Sequence, residues 1–235
     1  MTDRRLADTF VVLAGTLRDS YDIPTFLTTL ADRSFDLLGV GAAAVLIEGE
    51  RKAPQTAAAD PRLAQLELDA AGWKEGPGTD CHRTGTPLAG TALGGPVPRH
   101  RWPRYAPRAE ELGYTRVAAL PLRHQRESVG ALVLLWSGAD SLDPDALALG
   151  QALADAAAIA LIRERELNDR RKRTTQLEGA LSSRVVIEQA KGILSARRAI
   201  TMTAAFDLLR GYARSHQRLL VDVALEVVQG RLSLE

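Results

Sequence analysis

Thiols and imidazoles carry much of nucleophilic, redox and metal chemistry in proteins, so cysteine and histidine come first. The 235-residue chain has one cysteine, Cys81, followed directly by His82. On a strand, such neighbours point to opposite faces and do not pair as nucleophile and base. Cys81 has no CxxC companion, and His82, His100, His124 and His216 are scattered, so spacing supplies no metal or haem ligand set. There is no phosphate-binding loop, no HExxH, no GxSxG, and no GxGxxG followed by an acid. The chain therefore reads as a non-enzyme with no metal and no assigned cofactor. Cys81 reads as a small, half-buried residue beside an interior cavity, with redox sensing by its thiol as the alternative.

A single cysteine excludes an intrachain disulfide and fits a reducing, cytoplasmic setting. The segment MTDRRLADTF lacks the apolar run of a signal peptide. The richest apolar stretch, Ala146–Ile162, is interrupted by Gln151 and Asp155, so neither a spanning helix nor a membrane partner is expected. The overall charge of +1 hides an asymmetry. Residues 1–162 hold 16 Lys+Arg against 20 Asp+Glu, while 163–235 hold 14 against 9. A basic C-terminal part favours a polyanionic partner; a solvated basic helix face is the other reading.

The elements that must position these groups follow from periodicity. Asp3–Leu17 and Pro24–Leu38 read as helices, the first with a stripe of Leu6, Phe10, Leu13 and Leu17, the second with Pro24 in its first turn. Val40–Ile47 reads as a buried strand with Lys52–Ala59 as its hairpin partner, and Pro61–Ala71 as a short helix. Glu75–Ala89 reads as a Gly/Pro-punctuated loop entering a strand, and Arg101–Leu112 as a helix. Tyr114–Leu122 and Val129–Trp136 read as strands around a turn at His124–Ser128, and Asp143 as the cap of a new helix.

From Asp143 to Arg198 no proline follows Pro144, which predicts one long helix. Leu153, Ala160, Leu167, Thr174 and Leu181 recur at sevens, with Leu149, Ala156 and Leu177 at the partner positions. Arg163 and Arg170 interrupt that seam, so the spacing predicts an adjustable coiled coil and a homodimer. RERELNDRRKR (Arg163–Arg173) reads as a solvated stretch laced by i,i+4 ion pairs, in preference to direct contact with a polyanion. Beyond it come three apolar stripes. Val185, Val186, Ile187, Ala190, Ile193 and Leu194 form the first; Ala205, Phe206, Leu208 and Leu209, capped by Thr201 or Thr203, the second; Leu219, Leu220, Val223, Ala224, Val227 and Val228 the third. Such short helices bury their stripes only against one another.

SRVVIEQAKGIL (Ser183–Leu194), AFDLLRGYAR (Ala205–Arg214) and LLVDVALEVV (Leu219–Val228) resemble, in order and spacing, the ANTAR module of bacterial transcription antiterminators. Upstream, GPGTDCHRTGTPL (Gly76–Leu88), WPRYAPRAEELG (Trp102–Gly113) and ALPLRHQRESVGALVLL (Ala119–Leu135) resemble a GAF domain over about Leu6–Ile162. The pairing is familiar from actinobacterial regulators. GAF domains that accompany ANTAR modules often carry a cysteine just after the Gly-Pro of this loop; here that place is Gly78, and the cysteine is Cys81. The two resemblances together imply an α+β protein. A GAF-like antiparallel sheet with helices spans 1–162, a coiled-coil linker helix 163–176, and a three-helix RNA-binding bundle 177–235.

The ANTAR resemblance implies binding to RNA stem-loops and readthrough of terminators. Arg184, Lys191, Arg210 and Arg214 are candidates for phosphates, Gln189 for a base edge and Tyr212 for stacking. Ala190 and Gly192 are small enough to let RNA approach the helix; close helix packing explains them equally well, and a core position explains Tyr212. Val186, Ile193, Phe206, Leu209, Val223 and Val227 read as core. The GAF resemblance implies a possible small-molecule ligand with Cys81 at the pocket. Two other classes compete: a helix-turn-helix DNA-binding regulator, and a GAF sensor with a protein-interaction tail. Against DNA, the turn RSHQR lacks the usual glycine and LLVDVALEVV is too apolar to read a major groove.

Overall fold

A computed structural model describes residues 7–12, 22–49, 52–125, 127–138 and 142–234; along 176–181 only the backbone is described. It contains two compact units, Met1–Glu166 and Leu167–Glu235. Within 3–17, residues 7–12 are helical. Phe10 packs on the first unit's core; Leu6, Leu13 and Leu17 lie outside the described residues.

The first unit is built on α1 (Ile23–Leu38), β1 (Ala42–Gly49), β2 (Lys52–Ala58), α2 (Pro61–Trp73), α3 (Pro77–Thr84), β3 (Leu88–Ala92), α4 (Pro96–Arg101), α5 (Tyr105–Glu111), β4 (Arg116–His124) and β5 (Glu127–Trp136). The five strands form one antiparallel sheet in the order β2-β1-β5-β4-β3. Central β5 is covered on both faces, which explains its unbroken apolar run. Alternate residues serve opposite cores. Val45, Leu120, Leu132 and Leu134 meet α1 and the start of the long helix; Ala44, Val117, Val133 and Leu135 meet α2 and α5. The caps follow the expected chemistry: Asp22 accepts from the Thr25 amide at 3.3 Å, and Asp60 from the Arg62 amide at 2.9 Å.

Two local expectations are corrected. The segment read as a loop from Glu75 contains helix α3, because Pro77 occupies its first turn and Gly85 closes it in the left-handed conformation. Cys81 and His82 are thus helical neighbours. The helix read from Arg101 begins only at Tyr105, as α5, and is preceded by a separate short helix, α4, that ends at Arg101. Pro103 disfavours helical backbone at Trp102, whose φ of −130° and ψ of 65° break the run.

The long helix α6 (Pro144–Arg198) spans 55 residues. Asp143 caps it, accepting from the Asp145 amide at 3.0 Å. By length and composition, Pro144–Thr175 is apolar enough to cross a membrane, contrary to expectation. Its apolar side is taken by the sheet: Leu153, Ala154, Ala157, Ala158, Ala160 and Leu161 are all buried in the first core. This also corrects the heptad reading, since Leu153 and Ala160 are spent inside their own chain. Further along, Leu167 and Thr174 are exposed.

The second unit comprises the rest of α6, α7 (Met202–Ser215) and α8 (Leu220–Val228). Ala190, Leu194, Ala205, Leu209, Ala213, Val223, Ala224 and Val227 form its core. Thr201 caps α7, accepting from the Ala204 amide at 3.2 Å. Two assigned stripe residues face solvent: Val185, and Leu219, which is the N-cap of α8 and 68% exposed.

Candidate functional site

On α6, Arg184, Val185, Glu188 and Gln189 line a shallow exposed surface. At about 100° per residue, this face lies opposite Ala190 and Leu194, which enter the core. Ala190 is fully buried, so it serves helix packing and is not open to a ligand. Gly192 behaves differently: a Cβ there would meet nothing within 4 Å, so packing does not require glycine.

Lys191 sits at the edge between α6 and α7. Its Nζ lies 2.8 Å from Glu188 Oε1 and 5.8 Å from the centre of the Phe206 ring. Phe206, read as core from the sequence, is only partly buried and supplies an aromatic floor under that ammonium. Arg210 and Arg214 follow Phe206 at successive i+4 positions, which puts all three on one side of α7; both arginines are exposed. Lys191, Phe206 and Arg210 thus belong to one surface.

Tyr212 belongs to another. It lines a groove with Leu208, Gly211, Ser215 and Leu234, and its ring stacks on His216 at 3.9 Å between centroids and 18° between planes. It also packs against the bundle core. The structure therefore does not bring Tyr212 to the Lys191 surface. Among the described residues, Arg184, Arg210 and Arg214 form no ion pair, whereas Arg218 is held by Glu226 at 2.8 Å.

The interior of the first unit contains buried polar anchors. Glu67 is completely buried; its Oε1 accepts from the Tyr105 hydroxyl at 2.6 Å, while Oε2 has no partner among the described residues. Burial pushes its carboxyl up to about 7, against the opposing pull of the Tyr105 hydrogen bond. Gly78 lies against it: a Cβ there would approach Val133 Cγ2 to 2.9 Å and Glu67 Oε2 to 3.1 Å. Only glycine fits this close approach. Glu75 accepts from the Arg104 and Tyr105 amides at 2.6 and 2.9 Å, capping α5. Asp80 accepts from Trp102 Nε1 at 2.8 Å and Arg101 Nε at 2.6 Å. Burial works against both carboxylates, but these donors hold them below the usual range.

Cys81 is buried against Ala119 and Ala131, not half-buried at a cavity wall. Burial pushes its thiol up to about 12, which disfavours the thiolate that redox chemistry uses. His82 Nδ1 lies 3.1 Å from Ser128 Oγ, and burial depresses the imidazole. Among the described residues, no three His, Cys, Asp or Glu side chains gather as a metal site. Sequence reading missed Glu67, although it falls on the apolar stripe of Leu63, Leu66 and Ala70.

The family model described as the GAF domain matches residues 22–161. The chain belongs to the GAF family. The ANTAR domain model matches residues 175–228. Together they make the domain pair of a GAF–ANTAR regulator, joining a sensor module to an RNA-binding one; neither is a catalytic family. The GAF fold also appears in solved structures. The GAF domain of the Acinetobacter phosphoenolpyruvate-protein phosphotransferase is 13% identical, with a TM-score of 0.50 over 70% of this chain and 97% of its own. That of the Coxiella burnetii phosphoenolpyruvate-protein phosphotransferase is 16% identical, with a TM-score of 0.50 over 71% and 98%. Bacteriophytochrome RpBphP3 from R. palustris is 13% identical, with a TM-score of 0.53 over 88% of this chain and 46% of its own. No curated protein sequence matches the chain.

Proposed function

We propose that the protein binds stem-loops in nascent RNA through its ANTAR domain, promotes terminator readthrough in the cytoplasm, and is gated by its GAF domain. The observation that carries this reading is the Lys191–Phe206–Arg210 surface, with Arg184, Gln189 and Arg214 exposed in the same unit. Guanidinium and ammonium groups take backbone phosphates, and the Gln189 amide takes a base edge in the loop, where RNA bases are accessible. Phosphate binding by Lys191 replaces an exposed pair with Glu188, which costs at most about 1 kcal/mol. We assign the sensor to 1–162, the linker to 163–176 and the RNA-binding part to 177–235. A small-molecule ligand of the GAF domain belongs to this reading, without a chemical class.

We also propose a homodimer joined along α6. Leu167 and Val185 are 42% and 48% exposed. Eighteen residues make five helical turns, so both point the same way, with Thr174 close to that line. Light scattering that gives only monomer at all concentrations, with and without RNA, would overturn the dimer.

The RNA reading is tested by salt titrations of affinity for cognate and scrambled-loop hairpins, with duplex DNA as control. Lys191→Ala and Arg214→Ala should each lower the salt slope by about one or slightly less. Gln189→Ala should narrow the gap between loops by about 1–3 kcal/mol, by analogy with base readout in DNA. Unchanged affinity, slope and selectivity in three folded variants would place the RNA surface elsewhere. Equal binding of duplex DNA would favour a DNA regulator.

A further inference from the structure

The end of the basic stretch of α6 is not neutralised in the way its sequence suggests. Residues 165–175 are all exposed, and Arg171, Lys172 and Arg173 form no ion pair among the described residues. Asp169 sits three and four residues before Lys172 and Arg173, at the spacing that allows pairing, yet no pair forms. Arg165 does find an acid, Glu127, at 3.5 Å. Arg173 and Lys191 are eighteen residues apart, five full turns, so they occupy the same line on the helix. Arg184 falls within about 20° of that line. The rise is about 16 Å from Arg173 to Arg184 and about 10 Å from Arg184 to Lys191. A row of cations therefore runs along one side of α6, and its upper end lies outside the ANTAR match at 175–228.

We propose that Arg173, at the upper end of this row, together with its neighbour Lys172 is a second RNA contact, which grips backbone phosphates of the stem while the Arg184–Lys191 region engages the loop end. This rests on the RNA reading above. The occupant follows from charge complementarity: a row of cations on an exposed helix face away from the Leu167–Val185 line matches the repeated phosphates of a paired stem. Neutralising phosphates releases counterions, so the contact is sequence-independent and strongly salt-dependent. It adds affinity without loop discrimination.

The experiment compares the full chain with K172Q/R173Q on two hairpins that share one loop, with a long and a short stem. On the long stem the variant should bind about ten-fold or more weakly at 50 mM salt, with a salt slope reduced by about one to two. The short stem and the preference for cognate over scrambled loop should be unchanged. R173Q alone should lower the long-stem slope by about one, and K172R/R173K should keep wild-type behaviour. Circular dichroism checks helicity. Identical affinity and slope for wild type and variants on the long stem would overturn the proposal and leave the RNA reading standing. A wild type that binds neither hairpin would overturn both. An equal loss on both stems would place these cations at the loop instead.

Discussion

The two units use charge in opposite ways. In the first, arginines are consumed by the fold: Arg99 pairs with Glu110, Arg101 with Asp80, Arg104 with Glu75 and Arg108 with Asp69, all between 2.6 and 3.0 Å. Three buried or half-buried acids, Glu67, Glu75 and Asp80, fix the segment Arg101–Tyr105 through its side chains and amides. In the second unit, Arg171, Lys172, Arg173, Arg184, Arg210 and Arg214 stand unpaired among the described residues. Its core is almost entirely aliphatic. Composition alone does not reveal this, because both halves are rich in Arg. Cations tied to acids within a fold build structure; cations left unpaired on a folded surface are free for a polyanion.

The largest effect is expected where stability rests on few residues. Leu209→Ala removes a fully buried side chain from the small bundle. It should cost about 3–4 kcal/mol, read as a lost or much lower melting transition of the ANTAR part. A change below about 1 kcal/mol would mean that the apolar core does not hold this unit.

Next comes the buried acid of the first unit. A Glu carboxyl at about 7 in the folded chain, against its ordinary value of 4.5, means that the unfolded chain releases its proton first. The favourable contribution of neutral Glu67 is complete below pH 4.5 and declines as pH rises through about 7, after which the buried charge weighs fully. Glu67→Gln cannot ionise. Its stability relative to wild type should therefore rise across this window, by about 3 kcal/mol at pH 8 compared with pH 4. Urea unfolding of both proteins from pH 4 to pH 8 measures it. A difference that does not vary with pH would show that Glu67 is solvated, and would blur the contrast between the units.

The smallest effect concerns Cys81. A buried thiol raised to about 12 should resist alkylation at pH 8 in the native chain and react within minutes once denatured. Cys81→Ala should leave hairpin affinity unchanged. Fast native alkylation, or a large loss of RNA affinity, would reopen redox sensing by this residue.

Much of the architecture was legible in the sequence, because burial repeats at the period of the backbone. The apolar stripes gave the three bundle helices, the β4–β5 hairpin followed from two apolar runs around a turn, and Thr201 and Asp143 announced helix starts through their side-chain oxygens. The blocks around Lys191 and Phe206 carried the ANTAR resemblance. Local steric rules were partly missed: Pro77 starts a helix, and Pro103 separates α4 from α5.

Other features depend on neighbours distant in sequence, and only the tertiary structure decided them. The same heptad positions read alike along α6, yet Leu153 and Ala160 are buried under the sheet while Leu167 stays exposed. Burial of Glu67 depends on Tyr105, 38 residues away. Tyr212 and Lys191 both looked available to RNA, but helix rotation sends them to different surfaces. Arg171–Arg173 and Arg99–Arg108 are similarly basic, and whether each cation meets an acid was set by folding. Periodicity is a property of one segment and can be read from it; desolvation and ion pairing are properties of two segments brought together, and exist only after the chain has folded.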